Sequence, residues 1–157
     1  MADDAALVFD IGGTKTLAAL VRGAEVLEEA RVPTEAAAGP DAWIAAAVRA
    51  AAPWRGRYGW AAAAVTGLVE GGRWTALNPA VLPVPDGFPL EAALAARLGC
   101  PVPALNDAQA AAWGEFRHGA GRGLDIVFLT LSTGIGGGIV LGGRLLRGRG
   151  GLAGHFG

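Results

Sequence analysis

Cysteine, lysine, serine and glutamine each occur once in this chain, as Cys100, Lys15, Ser132 and Gln109, and asparagine occurs only twice, as Asn78 and Asn106. A single cysteine excludes an internal disulfide framework and a cysteine-rich zinc site, and it suits a reducing, cytoplasmic compartment. Charge is also scarce. Only 17% of the 157 residues are charged, and the net charge is -1. That balance stands against a nucleic-acid partner, which calls for a basic face. No apolar run reaches the ~20 residues of a membrane-spanning helix. The longest uncharged stretch, Ile126 to Gly143, is interrupted by glycines, two threonines and Ser132, so no membrane segment is expected. The opening MADDAALVFD has acids where a signal peptide has basic residues, so no secretion signal is expected either.

What the chain does have is apolar material. Residues of hydrophobic type make up 52% and glycine numbers 26, enough for a sizeable core and many tight turns. Alternation and glycine punctuation predict strands at Leu7 to Ile11, Thr16 to Val21 and Val26 to Val32. Trp43, Ile44, Ala47 and Val48 fall at helical spacing in a stretch that opens at Asp41 and stops near Pro53. A buried strand is predicted over Ala61 to Thr66, then turns around a short strand over residues 72 to 88. A helix follows over Pro89 to Leu98, closed by Gly99. Val102 to Leu105 reads as a strand and Asp107 to His118 as an alanine-rich helix. Ile126 to Leu131 and Gly138 to Leu141 read as a final hairpin. A β-meander followed by alternating strands and helices predicts an α/β fold, a mixed sheet flanked by helices. The boundary is expected after His118, with residues 1–118 as one α/β lobe and residues 119–157 as a linker and the start of a second.

Two hairpins carry glycines and hydroxyls at their turns. One is Asp10-Ile11-Gly12-Gly13-Thr14-Lys15 and the other is Leu131-Ser132-Thr133-Gly134-Ile135-Gly136-Gly137-Gly138. Glycine lets successive backbone N–H groups converge on an anion, and Lys15 adds the point charge a phosphate favours. Asp10 ends a strand and is a hard oxygen ligand suited to magnesium through water. Neither turn fits the Walker A or G-x-G-x-x-G pattern. A double-glycine turn alone is an ordinary hairpin turn, and two such turns in one chain are more specific than either. The third chemical segment is Asn106-Asp107, which ends a strand and opens a helix. Asp107 there either caps the helix or accepts the proton of an attacking hydroxyl. Asn106, with a donor and an acceptor, suits a sugar hydroxyl.

Taken together, VFDIGGTK, ALNDAQAAAWGEF, LTLSTGIGGGIV and GLAGHFG resemble the ROK family (repressor, open reading frame, kinase) of sugar kinases, in that order and over essentially the whole chain. Within it the resemblance is nearest to the bacterial N-acetylmannosamine kinases, through Ala76-Leu77-Asn78-Pro79, the stretch Asn106 to Glu115, and His155. Many family members carry Glu at the position of His155. The resemblance implies the actin-like, ribonuclease-H-like ATPase fold, ATP and Mg²⁺, and phosphorylation of the 6-hydroxyl of N-acetylmannosamine in sialic acid catabolism. It implies Asp107 as catalytic base, with Gly67, Asn78, Asn106, Asp107 and His155 facing the sugar. Asp10, Gly12, Gly13, Thr14, Lys15, Ser132, Thr133, Gly134, Gly136, Gly137 and Gly138 would face the nucleotide, with Asp10 organising magnesium through water.

The family's structural zinc is held by a second His and a cysteine cluster that this chain lacks, so no zinc is expected here. The second lobe reads as truncated and the chain as part of a longer enzyme, which the resemblance implies to be a homodimer. The alternatives are a glucokinase or other hexose kinase of the same family, a sugar-sensing relative, or a non-catalytic fragment.

Overall fold

The computed structural model describes residues 5–131 and 134–157. They form two compact units, divided between Ala104 and Leu105.

The first unit is built on a meander. β1 (Ala6–Ile11), β2 (Lys15–Arg22) and β3 (Glu25–Pro33) pair antiparallel in sequence order, with Ile11 opposite Thr16 and Asp10 opposite Leu17. β4 (Trp60–Val65) then lies parallel to β1, placing Ala64 beside Asp10. β7 (Ala104–Asn106), which begins at the last residue of this unit, adds at the edge, so the five-stranded order is β3-β2-β1-β4-β7. Between β4 and β7 come a two-stranded ribbon, β5 (Leu68–Glu70) with β6 (Arg73–Thr75), and α2 (Leu90–Leu98).

Period-two alternation sends Leu7, Phe9 and Ile11 of β1, and Thr16, Ala18 and Leu20 of β2, to one face. On that face α1 (Pro40–Ala50) buries Trp43, Ile44, Ala47 and Val48. Pro40 starts the helix where a missing N–H costs nothing, and Asp41 and Arg49 complement its two ends. The helix ends at Ala50, and Pro53 sits in a following 3₁₀ turn, Ala52–Trp54. α2 stops at Gly99, whose φ of 75° is the left-handed conformation that glycine adopts without strain. Aromatic packing joins these pieces. Trp43 and Trp74 meet edge to face at 6.2 Å, and Trp74 meets Phe88 at 6.5 Å. Each buried indole donates its N–H, Trp43 to the Glu35 carbonyl at 2.7 Å and Trp74 to that of Thr66 at 2.9 Å.

The second unit holds α3 (Asp107–His118) and an antiparallel sheet of order β10-β9-β8, made of β8 (Ile126–Leu131), β9 (Ile135–Leu141) and β10 (Arg144–Leu146). α3 packs on β9, so the helix belongs with the residues that follow it, and the boundary falls before it rather than at Gly119. A further difference from the sequence pattern lies in β9. It begins at Ile135, not Gly138, because Gly136, Gly137 and Gly138 pair with Thr130, Leu129 and Phe128 in the ladder. Among the described residues no helix is long and apolar enough to cross a membrane.

A hydrogen bond from the 3₁₀ turn and an ion pair from the residues just after it reach the outer strand. Glu28 on β3 accepts from the Trp54 indole at 2.8 Å and bridges Arg57. The hydrogen bond from Arg57, then that from Trp54, holds the Glu28 carboxyl below its ordinary range. A depressed carboxyl contributes stability above its unfolded value of about 4.3, and that contribution is lost as the pH falls through the folded one. Glu28→Gln is therefore expected to flatten the fall in urea midpoint between about pH 5 and pH 3. An unchanged slope would show that the pair contributes nothing to folding.

Candidate active site

The first unit gathers three sequence-distant segments at the C-terminal ends of β1 and β4. The turn after β1 closes when the Gly12 N–H donates to the Lys15 carbonyl at 3.1 Å. A Cβ on Gly13 would come within 2.9 Å of Val81 Cγ1, so the glycine lets the Asn78 segment pack against the turn. Asn78 is exposed and organises its own turn. Its Oδ1 accepts from the Ala80 N–H at 3.2 Å, and its carbonyl accepts from those of Val81 and Leu82 at 3.0 and 3.1 Å. The Thr66 N–H donates to the Ile11 carbonyl at 3.3 Å. Gly67 follows with φ of 118°, and a Cβ there would lie 2.6 Å from the Thr75 carbonyl oxygen. Only glycine fits that position.

Thr14 and Lys15 are exposed at the tip of the turn. With Asp10, Gly12, Leu17 and Arg31 they line a cleft of 230 Å³. Behind the tip the Thr14 carbonyl accepts from the Thr34 N–H at 3.0 Å, and the Thr16 and Thr34 hydroxyls bond at 2.9 Å in the interior. The turn is thus braced from within while its cationic side chain faces solvent. Arg31, which the motifs do not mark, enters the cleft because the β2–β3 register sets it opposite Leu17. It also pairs with Glu29 at 2.8 Å. One carboxylate, Asp10, stands at the rim. Among the described residues no three His, Cys, Asp or Glu side chains gather to hold a metal. A single carboxylate in a cleft with Thr14, Lys15 and Arg31 would suit a magnesium ion carried mainly by the oxygens of a bound phosphate and by water. It does not fit a four-ligand zinc site.

The second unit carries Asn106, Asp107, Gln109 and His155. Asn106, not Asp107, is the N-cap of α3. Its φ and ψ are -62° and 144°, and its Oδ1 accepts from the Gln109 N–H at 3.1 Å. Its Nδ2 donates to Asp107 Oδ1 at 3.0 Å. Both ends of a side chain that is 4% exposed are therefore engaged inside the protein, which differs from a simple sugar contact. Asp107 is the first helical residue, and its Oδ1 also accepts from the Ala108 N–H at 2.8 Å. Two donors on one oxygen fix the plane of the carboxylate. His155 sits in the segment after β10, where its N–H donates to the Leu152 carbonyl at 3.1 Å. Its Nε2 is buried and has no partner among the described residues. Leaving such an atom unmatched costs roughly 1–3 kcal/mol, so it is a place for a ligand or water hydrogen bond.

The second glycine segment differs most from expectation. Ser132 and Thr133 lie outside the described residues. Gly134 is exposed with open space around it. Gly136, Gly137 and Gly138 are strand residues, and packing accounts for them. A Cβ on Gly136 would approach the Ala108 Cβ to 3.2 Å, and one on Gly138 would approach the Ala112 Cβ to 2.6 Å. On Gly137 it would meet the Phe156 ring at 2.7 Å. Gln109, singled out in the sequence only by its rarity, is 2% exposed and donates to the carbonyls of Gly151 and Ala153. A buried polar residue in a first helical turn is the signal that marks it.

These features define the class first: a mixed sheet with an antiparallel start and a glycine turn after its first strand, in the actin-like, ribonuclease-H-like ATPase fold of the matching sugar kinases. The chain belongs to the ROK family, whose sequence model matches residues 6–157. It is 60% identical over 151 residues to a Brucella melitensis protein named bifunctional enzyme NanE/NanK, covering 96% of this chain and 29% of that one. It is 45% identical over 152 residues to an N-acetylmannosamine kinase of Salmonella typhimurium, covering 96% of this chain and 52% of that one. Among solved structures, a Streptomyces griseus ROK glucokinase in complex with glucose and AMPPNP matches with TM-score 0.83 and 36% identity, over 98% of this chain and 49% of that one. A putative N-acetylmannosamine kinase from Listeria monocytogenes matches with TM-score 0.77 and 31% identity, over 98% and 53%. The chain thus spans about half the length of the single-function kinases it matches.

The packing account of the β9 glycines separates two substitutions. Gly138→Ala is expected to destabilise by about 1–3 kcal/mol through overpacking against Ala112. Gly134→Ala, in open space, should stay within about 0.5 kcal/mol. Urea unfolding of the two variants checks this, and equal midpoints would discount the close contact.

Proposed function

We propose that this chain is the portion of an ATP-dependent N-acetylmannosamine kinase that carries the catalytic carboxylate, and that it acts in sialic acid catabolism in the cytoplasm. What supports the reading is the Asp107 carboxylate, oriented by Asn106 and the Ala108 N–H, in a chain 45% identical to kinases of that name. In this reading Asp107 takes the proton of the sugar 6-hydroxyl as its oxygen attacks the γ-phosphorus of ATP. The bond from that phosphorus to the bridging oxygen breaks, and ADP leaves. Proton transfer comes late in such reactions, so the carboxylate serves mainly to position and receive.

His155 offers its buried Nε2 to a sugar oxygen or amide, and Gly67 and Asn78 face the sugar. Asn106 acts on the sugar chiefly by holding Asp107. Thr14, Lys15 and the backbone of Gly13 bind nucleotide phosphate, and Gly12, whose N–H closes the turn on the Lys15 carbonyl, shapes the same site. Ser132, Thr133, Gly134 and the start of β9 at Gly136 to Gly138 contribute to the same nucleotide. Asp10 would hold a magnesium ion through water, and such an ion neutralises charge on the phosphate oxygens. Neither DNA nor membrane has a part in this reading, and the complete enzyme is a homodimer. A second reading, a glucokinase, is favoured by the TM-score of 0.83 to the Streptomyces griseus enzyme.

Rates across a panel of sugars separate the two. Faster phosphorylation of N-acetylmannosamine than of glucose is expected, and the reverse would select the second reading. Asp107→Asn in the enzyme should lower kcat by about 10²–10⁴-fold while sugar affinity changes little, since a general base acts in the transition state. Retention of a tenth of the rate or more would reduce Asp107 to a structural residue of the first helical turn.

A further inference from the structure

Gln109 is joined to both halves of the polar cluster in the second unit. Its main-chain N–H is capped by Asn106 Oδ1 at 3.1 Å, and Asn106 in turn donates to the Asp107 carboxylate. Its side chain points the other way. Nε2 donates to the Gly151 carbonyl at 3.0 Å and to the Ala153 carbonyl at 2.9 Å, so both amide hydrogens are used. Those acceptors flank Leu152, whose own carbonyl takes the His155 N–H.

The segment so fastened has little stiffness of its own. Gly148, Gly150, Gly151 and Gly154 all have positive φ, a conformation open to glycine at high cost in chain entropy. Main-chain hydrogen bonds, the Phe156 ring against Gly137, and the contact of Gly154 with β9, where a Cβ would meet the Gly137 carbonyl oxygen at 2.7 Å, all bear on its position.

We propose that Gln109 is a positioning residue for sugar recognition: one buried amide that holds the His155 segment at a fixed distance from the Asn106–Asp107 pair. The proposal rests on His155 facing the sugar, as above. It also accounts for the residue type. Glutamate at this position would set a carboxylate against two carbonyl oxygens. Asparagine is one methylene shorter and would not reach both. Methionine has the length and no donor. In a chain with a single glutamine, that glutamine is the side chain whose length and double donor the geometry needs.

The test uses the complete enzyme with Gln109→Glu, Gln109→Met and Gln109→Asn. Amide hydrogen exchange over residues 147–157 is read by mass spectrometry, with the β1–β4 peptides as the folding control. Exchange in that segment is expected to rise about tenfold or more while the control peptides hold their protection. KM for N-acetylmannosamine should rise about tenfold while kcat stays within about threefold, because the main-chain N–H at position 109 still bonds Asn106, Asn106 still orients Asp107, and the loss falls on binding. Gln109→Asn should fail to restore either value. Wild-type exchange in any of the three folded variants, or a fall in kcat at unchanged KM, would overturn the proposal. A wild-type enzyme inactive on N-acetylmannosamine would sink the functional reading instead, and the exchange measurement would still decide the positioning role. If all three variants lose protection everywhere, Gln109 is a folding residue and the proposal is wrong.

Discussion

The close approach of α3 to β9 is the contact on which the second unit depends. Ala108 and Ala112 on the helix face Gly136 and Gly138 on the strand, with little room for an added carbon at Gly136 and none at Gly138. Such small-on-small packing brings two backbones nearer than ordinary side chains allow. It fixes where the helix begins, and so where Asn106, Asp107 and Gln109 stand. Because interiors pack at crystal-like density, a contact of this kind has few neighbouring arrangements to relax into.

The first unit solves a different problem. Its glycine turn holds Thr14 and Lys15 out to solvent. The bracing lies underneath, in the Thr16–Thr34 hydroxyl pair, the Thr34 N–H on the Thr14 carbonyl, and Val81 against Gly13. Each buried polar group there has a partner, so the turn is held without placing a side chain where a ligand would come. The tryptophans serve the same end at a distance. Trp74 packs in the core on one side and on the other donates to Thr66, the residue before Gly67. Sheet packing and the position of Gly67 are therefore one constraint.

Much of this was legible in order along the chain. Strand alternation, the α1 spacing and the Gly99 stop correspond to β1 to β4, α1 and α2, because each signal is local. The readings that changed were those in which one residue type serves two purposes. Asn and Asp both cap helices well, and only the backbone angles at Asn106 assign the cap to it. Glycine signals a turn or a close contact, and at Gly136 to Gly138 the packing requires the second. The boundary expected at Gly119 followed a flexible-looking glycine stretch, whereas the actual division follows which elements share a packed face.

By itself the sequence determined the chemical inventory and its order: one lysine in a glycine turn, one Asn-Asp pair at a strand–helix junction, one histidine in a late glycine segment, and the family these spell out. Tertiary structure decided what each group is held by. It put Arg31 at the Asp10–Lys15 cleft, spent both ends of Asn106 inside the protein, left His155 Nε2 without a partner among the described residues, and turned Gln109 toward carbonyls 42 and 44 residues away. The reason is physical. Residue type limits which hydrogen bonds a side chain can make, but which of them form depends on register and packing between segments far apart in the chain, and neither is written in any local stretch.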